Sequence, residues 1–254
     1  MTLKVSIVTV VYNAVDTIAD ALTSVKQQSY DDIEHIIIDG ASTDGTQAVI
    51  EKFGHIAKFV SESDTGIYDA MNKGVSMAKG DVIGLLNADD FYQHEHVIRD
   101  AVVALENHNV DACYADLVYV DAIVTDKIVR YWTSKSHSQG LCFTGWMPAH
   151  PTLFLRRSVY EQTGKFNTNL DYQADLEFCA RVFEKTKISS IYIPEVWVRM
   201  RMGGVTNASF KTMWKGNWES YYALRELGLN MNPLRYFLGK FTPKLKQYFT
   251  KPTI

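Results

Sequence analysis

Val82-Ile83-Gly84-Leu85-Leu86-Asn87-Ala88-Asp89-Asp90 carries an apolar run straight into a polar cluster that ends in two adjacent aspartates. Without polar alternation, Val82 to Leu86 reads as a strand buried on both faces, as in parallel sheets. Three earlier stretches repeat the pattern. Lys4 to Val11 (KVSIVTVV) stops at Tyr12-Asn13, Ile33 to Ile38 (IEHIII) at Asp39-Gly40, and Ala57 to Val60 at Glu62-Ser63-Asp64. Helical spacing fills the intervals: Ile18, Ala21, Leu22 and Val25, then Val49, Ile50 and Phe53, then Ile67, Ala70, Met71, Val75 and Ala78. This β-α-β-α-β-α-β rhythm predicts an α/β fold with an open, mostly parallel sheet flanked by helices. Ligands of such sheets bind beyond the carboxyl ends of the strands, where all four polar clusters fall.

From about residue 110 the rhythm changes. Ala112 to Val124 and Ile128 to Trp132 read as meandering strands, Leu176 to Phe183 as a helix and Ile188 to Ile193 as a further strand. The expected organisation is one domain over 1–206, with a nucleotide-binding half (1–110) and a mixed half (111–206), followed by an extension over 207–254.

Composition narrows the functional classes. The chain has 254 residues, 46% hydrophobic and 12% aromatic, which suits a packed core and excludes disordered, collagenous and coiled-coil chains. No apolar run approaches the ~20 residues that span a bilayer, and the N-terminus lacks a secretory signal pattern. Cys113, Cys142 and Cys179 lie far apart and form no CxxC, which predicts a reducing cytosol. The net charge of −3 hides an asymmetry. Residues 1–206 hold 27 acidic and 18 basic side chains, whereas 207–254 hold 2 and 8. An acidic body is the wrong sign for wrapping nucleic acid, and a basic tail suggests contact with something anionic.

Asp89 and Asp90 have two readings. Hard Mg2+ or Mn2+ takes carboxylate oxygens and fills its remaining positions with water and substrate phosphates. The same pair could cap a following helix, but its place at the sheet's carboxyl edge favours the metal. His94 and His96 lack a thiolate or third ligand nearby and read as surface helix histidines.

These stretches together carry a resemblance. Ser6 to Asn13, Asp39-Gly40-Ala41-Ser42-Thr43-Asp44-Gly45-Thr46, Ser61 to Gly74 (SESDTGIYDAMNKG), Gly80 and Leu85 to Asp90 are similar to the ordered motifs of the inverting family 2 glycosyltransferases, which have the GT-A fold. The likeness covers roughly residues 3 to 206 and is strongest to bacterial enzymes that build surface polysaccharides. It implies that Thr9, Tyr12 and Asn13 lie against the donor nucleoside, that Asp39 bonds the base or ribose, and that Asp64 approaches the base and Lys73 the phosphates. As a lone aspartate before Gly40, Asp39 reads equally as a turn former. Asp69 and Asn72 are open between a site role and helix stabilisation. The metal motif departs from its fullest form, because Asn87 stands where the family often has aspartate. With Ala88, Asn87 is then a donor contact, and Asp89 the direct metal ligand.

The resemblance also supplies a base. Asp171-Tyr172-Gln173-Ala174-Asp175-Leu176-Glu177 matches the segment where a carboxylate opens a helix, with Asp175 in the base position and Glu177 and Asp171 as close competitors. His150, in Trp146 to Thr152, is expected near the acceptor, and Arg201, before Gly203-Gly204-Val205-Thr206, near the diphosphate. The implied activity is transfer from a nucleotide sugar, with UDP-sugars expected, to a lipid-linked oligosaccharide, using Mn2+ or Mg2+ in the bacterial cytoplasm at the inner membrane face. A nucleotidyltransferase would show a Gly-rich basic loop near the first strand, and none is present. A binding subunit with a decayed site would be consistent with Asn87.

The tail holds Trp214, Trp218, Tyr221, Tyr222, Leu224 and Leu227, then Tyr236, Phe237, Leu238, Leu245, Tyr248 and Phe249 amid Arg235, Lys240, Lys244, Lys246 and Lys251. Such amphipathic segments suit an anionic membrane surface. The alternative is that the aromatics pack on the domain, or on a second subunit in a homodimer.

Overall fold

The computed structural model describes residues 3–203, 210–229 and 231–247. Its first four long strands, β1 (Val5–Val11), β2 (Ile33–Asp39), β3 (Ile56–Ser61) and β4 (Val82–Asn87), pair in parallel in the order β3-β2-β1-β4. All seven residues of β1 are buried, as its unbroken apolar run requires. Register levels the strand ends: Val11 pairs with Asp39, Asp39 with Ser61, and Val10 with Asn87. The residues that follow therefore emerge at one edge.

The crossovers are α1 (Ile18–Lys26), α2 (Thr46–Ile50) and α3 (Ile67–Met77). Helix α3 packs closely on the sheet, since a Cβ added to Gly74 would lie 2.2 Å from Val8 Cγ1. After β4 the chain forms β5 (Asp90–Tyr92), and helix α4 (Val97–Asn107) starts later. Asp89 and Asp90 therefore do not cap a helix, and His94 and His96 precede α4 instead of riding on it.

The second half extends the sheet. Strand β6 (Ala112–Val120) pairs with β7 (Ile128–Trp132), with the short β8 (Phe154–Arg156), which joins it to β4, and with β9 (Ser190–Arg201). Strand β9 runs well past the expected Ile193. Its register against β6 shifts around Pro194 and Glu195, which are exposed, and the strand resumes at Val196 to reach β5. Helices α5 (Arg157–Thr163) and α6 (Ala174–Ala180) follow β8, and α6 runs on into a π-helical turn over Arg181–Thr186.

The tail forms α7 (Phe210–Glu226) and α8 (Pro233–Lys246). Tyr221, Leu224, Leu229, Met231 and Tyr236 are buried in the same core cluster as Val8, Leu85, Leu176 and Phe178, with Trp218 and Phe237 packed against it. These aromatics pack on the domain. Tyr222, Leu234 and Leu238 are exposed. Tyr248, Phe249 and Lys251 lie outside the described residues, as do the side chains of Trp214, Lys244, Leu245 and Lys246. Among the described residues no helix is long and apolar enough to cross a membrane.

Thr9 belongs to this interior and not to a nucleoside site. It is fully buried, its hydroxyl 3.0 Å from His35 Nε2, and His35 Nδ1 is 3.0 Å from His55 Nε2. Burial, reinforced by His55, lowers the His35 pKa from 6.5 to about 3. The folded state thus refuses a proton that the unfolded chain accepts below about pH 6.5, so stability falls as pH drops from there towards 3, by up to about 1.4 kcal/mol per pH unit. Urea denaturation between pH 7 and 5 should show this slope in the parent and a flatter one in His35→Gln. Equal slopes would assign the acid sensitivity to other groups.

Candidate active site

A cleft of about 990 Å³ opens at the carboxyl edge of the parallel strands. One wall presents Tyr12 and Asn13 after β1, Asp64 and Gly66 after β3, and Asn87 at the end of β4 with Ala88 and Asp89 after it. The facing wall holds Trp146, Met147, His150, the Asp171–Asp175 segment and, from α8, Lys240.

Short-range bonds fix the first wall. Asp39 is buried and accepts hydrogen bonds from the Ser42 amide and hydroxyl and from Ser61 Oγ (2.6 Å), so it ties the ends of β2 and β3 together. It is not among the residues lining the cleft, and its bonds run to its own turn and to Ser61. Asn13 adopts a left-handed backbone (φ 47°) and accepts from the Thr43 amide at 2.9 Å, clasping the neighbouring strand-end loop. A Cβ on Gly40 would lie 2.7 Å from Asp64 Oδ2 and 3.3 Å from the Tyr12 ring, so glycine lets these groups converge. The Tyr12 ring, 66% exposed, offers a free face above them.

Lys73 also points elsewhere than expected. It pairs with Glu62 (3.0 Å) and Asp69 (3.5 Å) and donates to the Ser63 carbonyl, bracing the β3–α3 loop without lining the cleft. Asn72 binds the amide and carbonyl of Phe166, both at 2.9 Å, a structural clasp between α3 and the second half.

The two aspartates occupy different depths. Asp89 lines the cleft. Asp90 lies fully buried beside it: Oδ2 accepts from Asn87 Nδ2 at 3.0 Å, and Oδ1 has no hydrogen-bond partner among the described residues. Burial pushes both carboxyls above their ordinary value, and the charge of Asp89 pushes Asp90 further. An orphaned buried carboxylate oxygen beside a cleft-facing carboxylate fits a hard dication such as Mg2+ or Mn2+. Arg201 is behind this turn, not over a diphosphate site. It donates to the Asp89 carbonyl at 2.7 Å and to the Asp20 carboxylate, with its guanidinium 5.0 Å from the Phe91 ring centre. The Gly204–Thr206 part of its loop lies outside the described residues.

Across the cleft, Asp175 opens α6. Its Oδ1 accepts from the Leu176 amide at 2.8 Å and lies 3.5 Å from Tyr68 Oη, and its Oδ2 is 3.5 Å from His150 Nδ1. Burial lowers the His150 pKa, against the pull of Asp175 and Asp89. Glu177, the competitor for the base position, is not among the residues lining the cleft. Two residues along a helix point apart, and Glu177 is buried in a two-bond pair with Arg181 (2.8 and 2.9 Å). Asp171 sits at the rim, paired with Lys215 at 3.0 Å. Tyr68, Gln173 and Lys240 are cleft residues that the sequence analysis did not assign to the site. Tyr68 lay inside a quoted motif, but its neighbour Asp175 is 107 positions away.

Comparison with known proteins places the fold and the family. The family profile described as Glycosyl transferase family 2 matches residues 6–164. A PGL/p-HBAD biosynthesis glycosyltransferase of Mycobacterium tuberculosis is 29% identical over 208 residues, 80% of this chain and 78% of its own. Staphylococcus aureus TarS 1–349 in complex with UDP-GlcNAc superposes with a TM-score of 0.66 at 15% identity, covering 97% of this chain and 72% of that one. This chain spans 44% of the longer TarS chain. The mannosyltransferase PcManGT of Pyrobaculum calidifontis, in complex with GDP-Man and Mn2+, gives a TM-score of 0.69 at 15% identity over 96% of this chain and 70% of that one. The profile match includes all four parallel strands and the Asp89–Asp90 turn, and on that evidence the chain belongs to glycosyl transferase family 2, with the GT-A fold.

Proposed function

We propose that the chain is an inverting, divalent-metal-dependent transferase that moves a sugar from a UDP-sugar to a hydroxyl of a lipid-linked saccharide in bacterial polysaccharide synthesis. The carrying observation is that Asp89 and Asp175 line facing walls of one cleft, with His150 in electrostatic reach of both. In a single displacement the acceptor oxygen attacks the anomeric carbon opposite the nucleoside diphosphate. The new C–O bond forms as the old one breaks, its electron pair leaves with the diphosphate, and the hydroxyl proton passes to Asp175. The Leu176 amide engages Oδ1 and leaves Oδ2 to receive that proton. The exposed Tyr12 ring suits stacking against a base, with Asp64 beside it. Asp89 and Asp90 are the residues that would hold Mg2+ or Mn2+, an ion that when bound offsets charge growing on the departing diphosphate.

Nucleotide release from UDP-glucose, UDP-galactose, UDP-N-acetylglucosamine and GDP-mannose, measured with Mn2+, tests the donor class; a UDP-sugar should turn over best. Asp89→Ala and Asp175→Asn should each slow release by roughly 100-fold or more. Turnover near the parent rate would remove that residue from its role. UDP binding with no release from any donor would favour the binding-subunit reading, to which Asn87 and its bond to Asp90 lend some weight.

A lipid acceptor is supported by the solvent side of the tail. Tyr222, Leu234 and Leu238 are 54%, 68% and 54% exposed, on helices that bury Tyr221, Leu224 and Tyr236 on the domain. We expect the full chain to co-sediment with anionic liposomes, and Leu234→Ser/Leu238→Ser to reduce the bound fraction. Equal recovery of both proteins would argue against this surface.

A further inference from the structure

Within the first turn of α6, Asp175 Oδ1 accepts from the Leu176 amide. Gln173 occupies the cap position and makes no side-chain cap hydrogen bond. The Asp171 and Tyr172 amides, which precede the helix, need partners as any backbone N–H does, and these come from the tail. Glu219 on α7 accepts from the Asp171 amide through Oε1 and from the Tyr172 amide through Oε2, both at 2.9 Å. Lys240 on α8, itself buried, donates from Nζ to Gln173 Oε1 at 2.5 Å. Two close approaches fix the helices that carry these groups. A Cβ on Gly216 of α7 would lie 3.1 Å from Tyr172 Cβ, and one on Gly239 of α8 would lie 2.6 Å from Thr144 Cβ. From the opposite side Tyr68 Oη donates to the Tyr172 carbonyl at 2.9 Å.

Resting on the reading of Asp175 as the base, we propose that α7 and α8 are its positioning element, with two positioning residues: Glu219, which fixes the 171 and 172 backbone amides, and Lys240, which holds the Gln173 side chain. Carboxylate-to-amide bonds are charge-assisted and directional. Releasing them lets the first turn of α6, and Asp175 with it, drift from the acceptor side of the cleft. A displacement on the order of 1 Å is enough to slow a reaction roughly 100-fold. The donor wall, built from the ends of β1 to β4, shares none of these bonds and keeps its affinity for nucleotide.

The test is a double-mutant cycle on the full chain, read as UDP release from UDP-glucose with Mn2+, or from whichever panel donor turns over. Glu219→Gln keeps the shape of the side chain but turns an amide N–H2 towards a backbone donor. It should lower kcat roughly ten-fold or more while UDP affinity stays within about two-fold, with faster hydrogen exchange at the 171 and 172 amides. In an Asp175→Asn background the same change should cost less than about two-fold, since a residue acting only through Asp175 has nothing left to position. Should Glu219→Gln fail to fold, Lys240→Met takes its place in the cycle. Parent-like kcat for Glu219→Gln, or an equal loss in both backgrounds, overturns the proposal. A fully active Asp175→Asn would instead overturn the base assignment.

Discussion

Strand β1 is buried on both faces and bonds in parallel to β2 on one side and to β4 on the other, and the cleft depends on that pairing. Its register brings the strand ends to one level, so Tyr12, Gly40 and Ala88 leave the sheet together. Asp39, bonded to its own turn and to Ser61, locks β2 to β3 at that level. Of the side chains that hold the first wall, Asp39 and Lys73 lie outside the cleft lining, while Asn13 both lines the cleft and clasps the neighbouring loop. Asn13 apart, strand-end polar residues divide into those that face the cleft and those that hold its edge.

The buried carboxylates illustrate the same division at greater cost. Burial disfavours the charged forms of Asp89 and Asp90, and their proximity adds repulsion. Glu177 and Glu184 are buried like Asp90, but each has partners for both carboxylate oxygens. Glu177 faces Arg181, while Glu184 accepts from the Gly140 and Cys142 amides and the Gln139 amide group. Asp90 Oδ1, by contrast, has no hydrogen-bond partner among the described residues.

Much of the fold was legible because it is locally encoded. Apolar runs, helical spacing and polar strand ends over the first 90 residues predict β1 to β4 and α1 to α3 almost element by element. Strand β9 extends beyond its apolar pattern, which Pro194-Glu195 interrupts, because pairing with β6 and β5 carries it through. The site was legible in residue type more than in partner. Arg201 looked like an anion contact, but Asp20, 181 positions away, and the Asp89 carbonyl claim it. Glu177 was separable in principle, since Arg181 stands four residues on, the spacing of a helical ion pair. Glu219 and Lys240 carried no such signal: their partners at 171–173 are set by how the tail docks.

That docking assigns the tail's two faces different work. The buried face meets the segment that bears Asp175, and the exposed face keeps Tyr222, Leu234 and Leu238 in solvent. A crystal structure with UDP and Mn2+ bound tests the account most directly. It should place uracil against Tyr12 and Asp64 and the ion on Asp89, leaving Asp175 uncovered on the facing wall. The structure, unlike the sequence reading, brings Asp100 and Glu195 to His94, with ligand atoms within 4.8 Å of one another. An ion bound there instead, or a nucleotide lying against Asp175, would contradict the account.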